Sequence, residues 1–364
     1  MHQALYRKWR PRTFDEVCGQ EHVTNVLKYE LITGKTSHAY LFCGSRGTGK
    51  TSCAKILAKA INCLDPQDGN PCCRCEACLS IDSGTATDIY EMDAASNNGV
   101  DDVRSIRDEV VYAPSEMKSR IYIIDEVHML SAAAFNAFLK TLEEPPAYAK
   151  FILATTEKHK IIPTILSRCQ VFDFKRIENE DIVKHLKYVA DSENVKYEEG
   201  ALEVIARKAE GGLRDALSIF DQLVNFTQGN LTYQGVLENL NVLDSDYYFK
   251  LVDFLRGGNL SGALLLYQEV IGKGFGGQHF LTGLCEHLRN LMVSLDPQTL
   301  SLIEGGDSLR QRYGQQAQQC GLPSLLGWLN TASDFEYRFR EANNKNLFVE
   351  VCLMKLATAG MPQG

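Results

Sequence analysis

The sequence predicts an α/β chain: a nucleotide-binding domain built on a parallel sheet, then a small helical domain, then an all-helical C-terminal domain. Three observations predict it. Strand-like runs alternate with helix-like segments up to about residue 178, a glycine-rich loop joins the first strand to its helix, and beyond 178 helical spacing continues while strand signals stop. At 364 residues the chain exceeds what one hydrophobic core usually serves. The expected division is 1–178, 179–242 and 243–364.

The first strand is expected over His38 to Cys43, followed by a glycine turn and a helix with Ala54, Ile56, Leu57, Ala58 and Ile61 on its apolar face. Further strands are expected over Asp88 to Met92, Arg120 to Ile124 and Lys150 to Ala154. Helices are expected over Asp181 to Ala190, Ala201 to Ala209 and Leu213 to Phe226. Five more follow, over Tyr247 to Leu255, Ala263 to Ile271, Phe280 to Met292, Leu325 to Phe339 and Leu347 to Leu356. Gly257-Gly258 and Gly274 to Gly277 separate some of them.

The turn reads Gly44-Ser45-Arg46-Gly47-Thr48-Gly49-Lys50-Thr51, which fits G-x-x-x-x-G-K-[ST] at every fixed position and in the strand-turn-helix setting the motif requires. Glycines let backbone N–H groups converge on phosphates, and the helix N-terminus adds partial positive charge. Lys50 is placed to reach the β- and γ-phosphates of ATP, and the Thr51 hydroxyl to hold Mg²⁺. Downstream, Ile121-Tyr122-Ile123-Ile124 ends in Asp125-Glu126, as expected of a buried parallel strand opening beside a nucleotide. Asp125 would orient the Mg²⁺ shell and Glu126 would polarise the attacking water.

Five of the twelve cysteines lie between Cys63 and Cys78. Cys63, Cys72, Cys75 and Cys78 offer four thiolates with two C-x-x-C steps, the pattern of a closed structural Zn²⁺ site without a catalytic water. Cys73 is the spare, and an exchange with Cys72 stays open. The formal net charge is −8, and residues 179–364 hold 16 Lys+Arg against 23 Asp+Glu. Global charge therefore gives no argument for nucleic-acid binding. No apolar run approaches the ~18 residues of a membrane span, and no apolar segment follows the basic start. A cytoplasmic protein is expected.

Taken in order, these features resemble the bacterial DNA polymerase III gamma/tau family, ATPases of the replicative clamp loader within the AAA+ class. The resemblance begins with Tyr6 to Phe14 and Gly19-Gln20-Glu21-His22. It continues through the cysteine insertion, Asp125 to Leu130, Leu142-Glu143-Glu144-Pro145-Pro146, Ala154-Thr155-Thr156, Ser167-Arg168-Cys169 and Gly212-Leu213-Arg214-Asp215-Ala216. It implies an AAA+ domain with a zinc module at about 63–78, a helical lid and a helical collar. The opening segment, with Arg10, is implied to pack near the adenine. Arg168 is implied to be the arginine finger that reaches the γ-phosphate on the neighbouring subunit. Thr156 is implied to be the polar sensor, with Thr155 the alternative, and Arg214 the second sensor on the lid. Arg104 and Arg107, three apart on one helix face after Asn97-Asn98-Gly99, are candidates for DNA contact, against which stands local pairing with Asp101 and Asp108.

The implied partners are delta- and delta-prime-type subunits, further gamma/tau copies in a pentameric ring, the sliding clamp and primer-template DNA, at the nucleoid and replisome. No constellation suggests a nucleotidyl-transfer site, so a polymerase label would describe the assembly. The chain stops at Gly364, where the family's long form continues, so tethering of polymerase and helicase is not expected of it. Rival readings are a non-catalytic ATP-binding scaffold and another DNA motor of the same class.

Overall fold

The computed structural model describes the backbone of residues 3–97, 99–240, 242–303 and 307–359. It divides into two compact units, Met1–Tyr233 and Gln234–Gly364.

The first unit runs α1 (Leu5–Lys8), α2 (Glu21–Thr33), β1 (Ala39–Cys43), α3 (Lys50–Asn62), α4 (Glu76–Ser83), β2 (Ile89–Asp93), α5 (Val100–Glu109), β3 (Arg120–Asp125), α6 (Ala132–Glu143), β4 (Ala149–Thr155), α7 (Pro163–Leu166) and β5 (Gln170–Asp173). Then come α8 (Asn179–Ser192), β6 (Lys196–Tyr197), α9 (Glu199–Lys208), α10 (Leu213–Phe226) and β7 (Asn230–Leu231).

Strands β1 to β5 form one parallel sheet in the order β2-β3-β4-β1-β5. The central strands are apolar throughout because helices cover both faces. Alternation decides which core each residue enters. Tyr40, Phe42, Ile121 and Ile123 pack with α2 and α3 residues such as Leu27 and Leu57. Leu41, Tyr122 and Ile124 pack on the other side with Phe135 and Phe138 of α6. Each such fully buried side chain contributes about 1.5–3 kcal/mol. In register, Cys43 stands opposite Thr155 and Asp93 opposite Asp125, so the loops leaving the sheet gather at its carboxyl edge, the usual place for a ligand.

Helix ends are set by local chemistry. Ser131 caps α6 by accepting from the Ala134 N–H, and α2 stops at Gly34 in the left-handed region (φ 69°). Three features depart from the sequence expectation. Strand β5 and helix α2 were not foreseen. Strand structure also does not end at 178, because Lys196–Tyr197 pairs with Asn230–Leu231, a two-residue match too short to show alternation.

Helix α11 (Tyr233–Leu240) spans the division between the units. The second unit is helical, with α12 (Ser245–Arg256), α13 (Leu260–Gly272), α14 (Gly277–Val293), α15 (Asp307–Cys320), α16 (Leu322–Arg338) and α17 (Lys345–Ala359). Its core gathers Leu251, Tyr267, Phe280, Leu284, Trp328 and Leu353. Asn259 caps α13 through the Gly262 N–H, and Trp328 Nε1 donates to Leu356 O at 2.9 Å. Among the described residues no helix is long and apolar enough to cross a membrane.

Candidate active site and metal centre

The loop between β1 and α3 is shaped by three glycines with φ of 152°, 79° and 100° at Gly44, Gly47 and Gly49. A Cβ on Gly44 would lie 2.5 Å from Phe174 O, and one on Gly47 3.1 Å from Gly212 Cα. Side chains are therefore excluded where the backbone must curl. Lys50 opens α3 and is 6% exposed. Its Nζ donates to Gly44 O and Ser45 O, each at 2.8 Å. Burial lowers its pKa, with Glu126 and Asp125 opposing. Thr48 Oγ1 donates to Ser45 O, and the Arg46 carbonyl lies against Gly212.

Thr51 Oγ1 donates to Asp125 Oδ2 at 2.7 Å, which brings a hydroxyl and a carboxylate from two elements to one point. Such a pair of hard oxygen donors fits Mg²⁺, and the glycine cradle at a helix N-terminus fits a polyphosphate.

Glu126 follows the end of β3 at φ 49°, outside the conformation its neighbours adopt. Thr156 donates to its Oε2 through both hydroxyl and backbone N–H. Thr155 is fully buried and its Oγ1 pairs instead with His128 Nδ1 at 3.0 Å. His128 also lies 3.4 Å from Glu126 Oε2 and 3.3 Å from Glu157 Oε1. Sequence reasoning passed over His128, although it stands two residues after Glu126 in Asp-Glu-x-His.

Arg10 and Arg214 approach the same region from opposite ends of the unit. Arg10 Nε donates to Ser52 Oγ at 3.2 Å. Partial desolvation lowers the Arg10 pKa, and the Arg214 charge adds to that, while Glu91 and Asp125 oppose. The Arg214 guanidinium carbon stands 5.2 Å from the centre of the Tyr6 ring, a cation–π distance. Gly212, the residue before α10, is what meets Gly47.

Arg168 sits apart from this group, in the hydrogen bonds the structure gives it. Its guanidinium donates to Glu143 Oε1 at 2.6 Å and to Thr164 O at 2.8 Å. It lines an open cleft of about 510 Å³ with His38, Leu142, Glu143 and Ser167. Arg104 and Arg107 both fall on α5, and Arg107 donates twice to Asp108 Oδ1. Asn98 and the Asp101 side chain lie outside the described residues.

The Sγ atoms of Cys63, Cys72, Cys75 and Cys78 all lie within 4.8 Å of one another. Four sulfurs about 2.3 Å from one tetrahedral Zn²⁺ stand about 3.8 Å apart, so the donor set fits. The Cys72 N–H points at Cys63 Sγ and the Cys75 N–H at Cys72 Sγ. Burial raises Cys72, but N–H donation from Arg74 and Cys75 outweighs it and holds the thiol down at about 6. Cys73 takes φ 56° and turns away, its Sγ 3.5 Å from Arg12 O and 4.0 Å from Lys59 Nζ. Cys72 therefore belongs to the cluster.

A glycine cradle on a parallel sheet, an acidic strand end beside it and a helical lid bearing an arginine define an ATPase of the AAA+ class. Residues 181–229 match the family described as DNA polymerase III clamp loader subunit, ATPase lid domain, and residues 19–178 match DNA polymerase III, delta subunit. The tau subunit of Bacillus subtilis is 43% identical over 355 residues, 98% of this chain and 63% of that protein. The gamma subunit of Buchnera aphidicola is 39% identical over 357 residues, 98% of this chain and 96% of that one. The chain belongs to the DNA polymerase III gamma/tau family of clamp-loader subunits, and it spans less than two thirds of the B. subtilis tau relative. Among solved structures, the Thermotoga maritima RuvB branch migration motor is 19% identical over 68% of this chain and 79% of its own, with a TM-score of 0.48. That likeness is too distant to carry residue roles.

Proposed function

We propose that this chain is an ATP-hydrolysing motor of a clamp loader. It assembles with delta- and delta-prime-type subunits and further copies of itself in a pentameric ring, and loads a sliding clamp onto primer-template DNA in the cytoplasm. Near end-to-end agreement with a gamma subunit, across 98% of this chain, carries this reading.

Lys50 exchanges the loop carbonyls it now holds for the β- and γ-phosphate oxygens of ATP, while the N–H groups of 44–51 hold the chain of phosphates. Thr51 and Asp125 would hold Mg²⁺. Bound there, the ion neutralises charge on phosphate oxygens. Glu126 takes the role of general base toward water, and Thr156 fixes its carboxylate. Arg214 closes the site from the lid, and Arg10 lines it from the N-terminal segment. Arg168 leaves Glu143 and serves the γ-phosphate of the adjacent subunit, which couples turnover to assembly. Cys63, Cys72, Cys75 and Cys78 would hold a structural Zn²⁺.

The division proposed is 1–178 for the ATPase domain, 179–242 for the lid and 243–364 for the oligomerising collar. No polymerase site of its own is assigned. ATPase of the chain with partner subunits, with and without clamp and primed DNA, tests the proposal. Stimulation by clamp and DNA that disappears in Arg168→Ala is expected. Absence of stimulation in the wild type, or its survival in that variant, overturns the proposal.

A further inference from the structure

We propose that the cysteine-bearing insertion tunes nucleotide affinity, with Asn70 as the positioning residue that fixes the N-terminal segment carrying Tyr6 and Arg10. The inference rests on the reading of that segment as facing the nucleotide.

Residues 5–15 form a strap held at both ends. At its start, the Leu5 N–H donates to Asp221 Oδ2 at 3.2 Å, and Trp9 Nε1 donates to Glu193 Oε1 at 2.8 Å. The Trp9 ring also meets Tyr188 edge-on at 5.3 Å. All of these partners belong to the helical segment after residue 178. At its far end, the strap is held by the insertion. The Phe14 N–H donates to Asn70 Oδ1 at 2.9 Å, Asn70 Nδ2 donates to Asp15 Oδ2 at 2.8 Å, and the Cys73 thiol donates to Arg12 O.

Arg10 lies between these anchorages, beside Ser52 and one residue from the proposed cation ligand Thr51. Its place over the site is thus set by where the strap is pinned. Phe14 is 1% exposed and Asn70 9%, so the Asn70 amide is the protein partner of a backbone donor cut off from water, and loss of such a partner is not made good by solvent.

The turn that presents Asn70 has little freedom of its own. Gln67 and Asn70 exchange both backbone hydrogen bonds, at 3.0 and 2.7 Å. Gly69 takes φ 78°, and a Cβ there would sit 2.8 Å from Lys28 O. Cys63 and Cys72 bracket this turn, so a metal joining their sulfurs closes the loop 64–71 and restricts where Asn70 can stand. Release of the metal frees that loop, and the strap with Arg10 loosens.

Direct titration of the full-length, zinc-loaded chain with a fluorescent ATP analogue tests this. Asn70→Ala is expected to raise the Kd about tenfold with zinc content unchanged and kcat at saturating ATP within about twofold of wild type. Stripping zinc from the wild type should raise the Kd in the same direction. N70D sets one carboxylate against Asp15 and should also weaken binding. The double variant D15N/N70D exchanges donor and acceptor while keeping an acceptor for the Phe14 N–H, and should return the Kd to within about threefold of wild type. An unchanged Kd in N70A or in the stripped protein overturns the proposal, and so does a swap that fails to recover affinity. If N70A does not fold, N70D and the swap decide alone. A wild type that binds no nucleotide overturns the reading of the phosphate loop, and this inference with it.

Discussion

Thr156 and Glu126 share one carboxylate oxygen: the Thr156 hydroxyl donates to Glu126 Oε2 at 2.9 Å and its backbone N–H at 3.3 Å. The contact ties the proposed base to the end of the neighbouring strand. Glu126→Gln removes the proton acceptor while preserving an oxygen for Thr156. Turnover is expected to fall about 10²–10⁴-fold, with nucleotide Kd little changed. Thr156→Val, which removes one donor, should cost about tenfold in kcat. Steady-state ATPase beside nucleotide titration separates the two effects, and a loss confined to Kd would assign both residues to binding instead.

Arg168 and Glu143 are partly exposed, at 32% and 49% of their side chains, and exposed pairs of this kind contribute little to stability. Arg168→Ala should therefore leave the melting temperature of the isolated chain unchanged. In the assembled ring it should reduce stimulated ATPase about 10³-fold. A lowered melting temperature with normal stimulation would mark Arg168 as a structural residue.

The metal site should be acid-sensitive. Burial raises the Cys63 and Cys78 thiols, with hydrogen bonds around Cys63 partly opposing, so both must lose protons as the metal binds. Affinity should fall as pH drops from 8 to 6, read by competition with a chromogenic chelator. A flat profile would count against thiolate ligation. Cys78→Ser should hold less than about half an equivalent of zinc, whereas Cys73→Ser should hold as much as wild type.

His287 is 2% exposed in the second unit, among Tyr248, Phe249 and Tyr313. Its Nε2 pairs with Gln316 Oε1. Burial brings its pKa down to about 4, with the Gln316 bond opposing and the Arg312 charge adding to the fall. The unfolded chain, with His near 6.5, binds the extra proton between those values. Stability from the neutral ring is thus complete above about pH 6.5 and lost as pH falls toward 4, by about 3 kcal/mol. Urea melts at pH 7.5 and 5 should show a loss that His287→Gln diminishes.

Much of this was legible in the sequence. The run Leu213 to Phe226 is helical over the same residues in the structure, and the motif residues 44–51 and 125–126 fall at neighbouring strand ends because parallel strands open on one edge. Strand β5 was not legible, since Gln170-Val171-Phe172-Asp173 is short, polar at both ends and pinned only by pairing with β1. Helix α2 exposes Val26, Tyr29 and Ile32, which blurs its apolar period. The choice between Cys72 and Cys73 depended on a single left-handed residue, which spacing does not encode. His128 and Asn70 act through partners about 27 and 56 residues away in sequence, and no local pattern announces such contacts.

Glu126 carries its carboxylate on a left-handed backbone, at φ 49°, a conformation that asparagine or glycine adopts at lower cost. Selection for a robust fold alone would steadily replace this glutamate. Under the proposed role, the position is one where the chain's tolerance of heat and its usefulness to the cell pull in opposite directions.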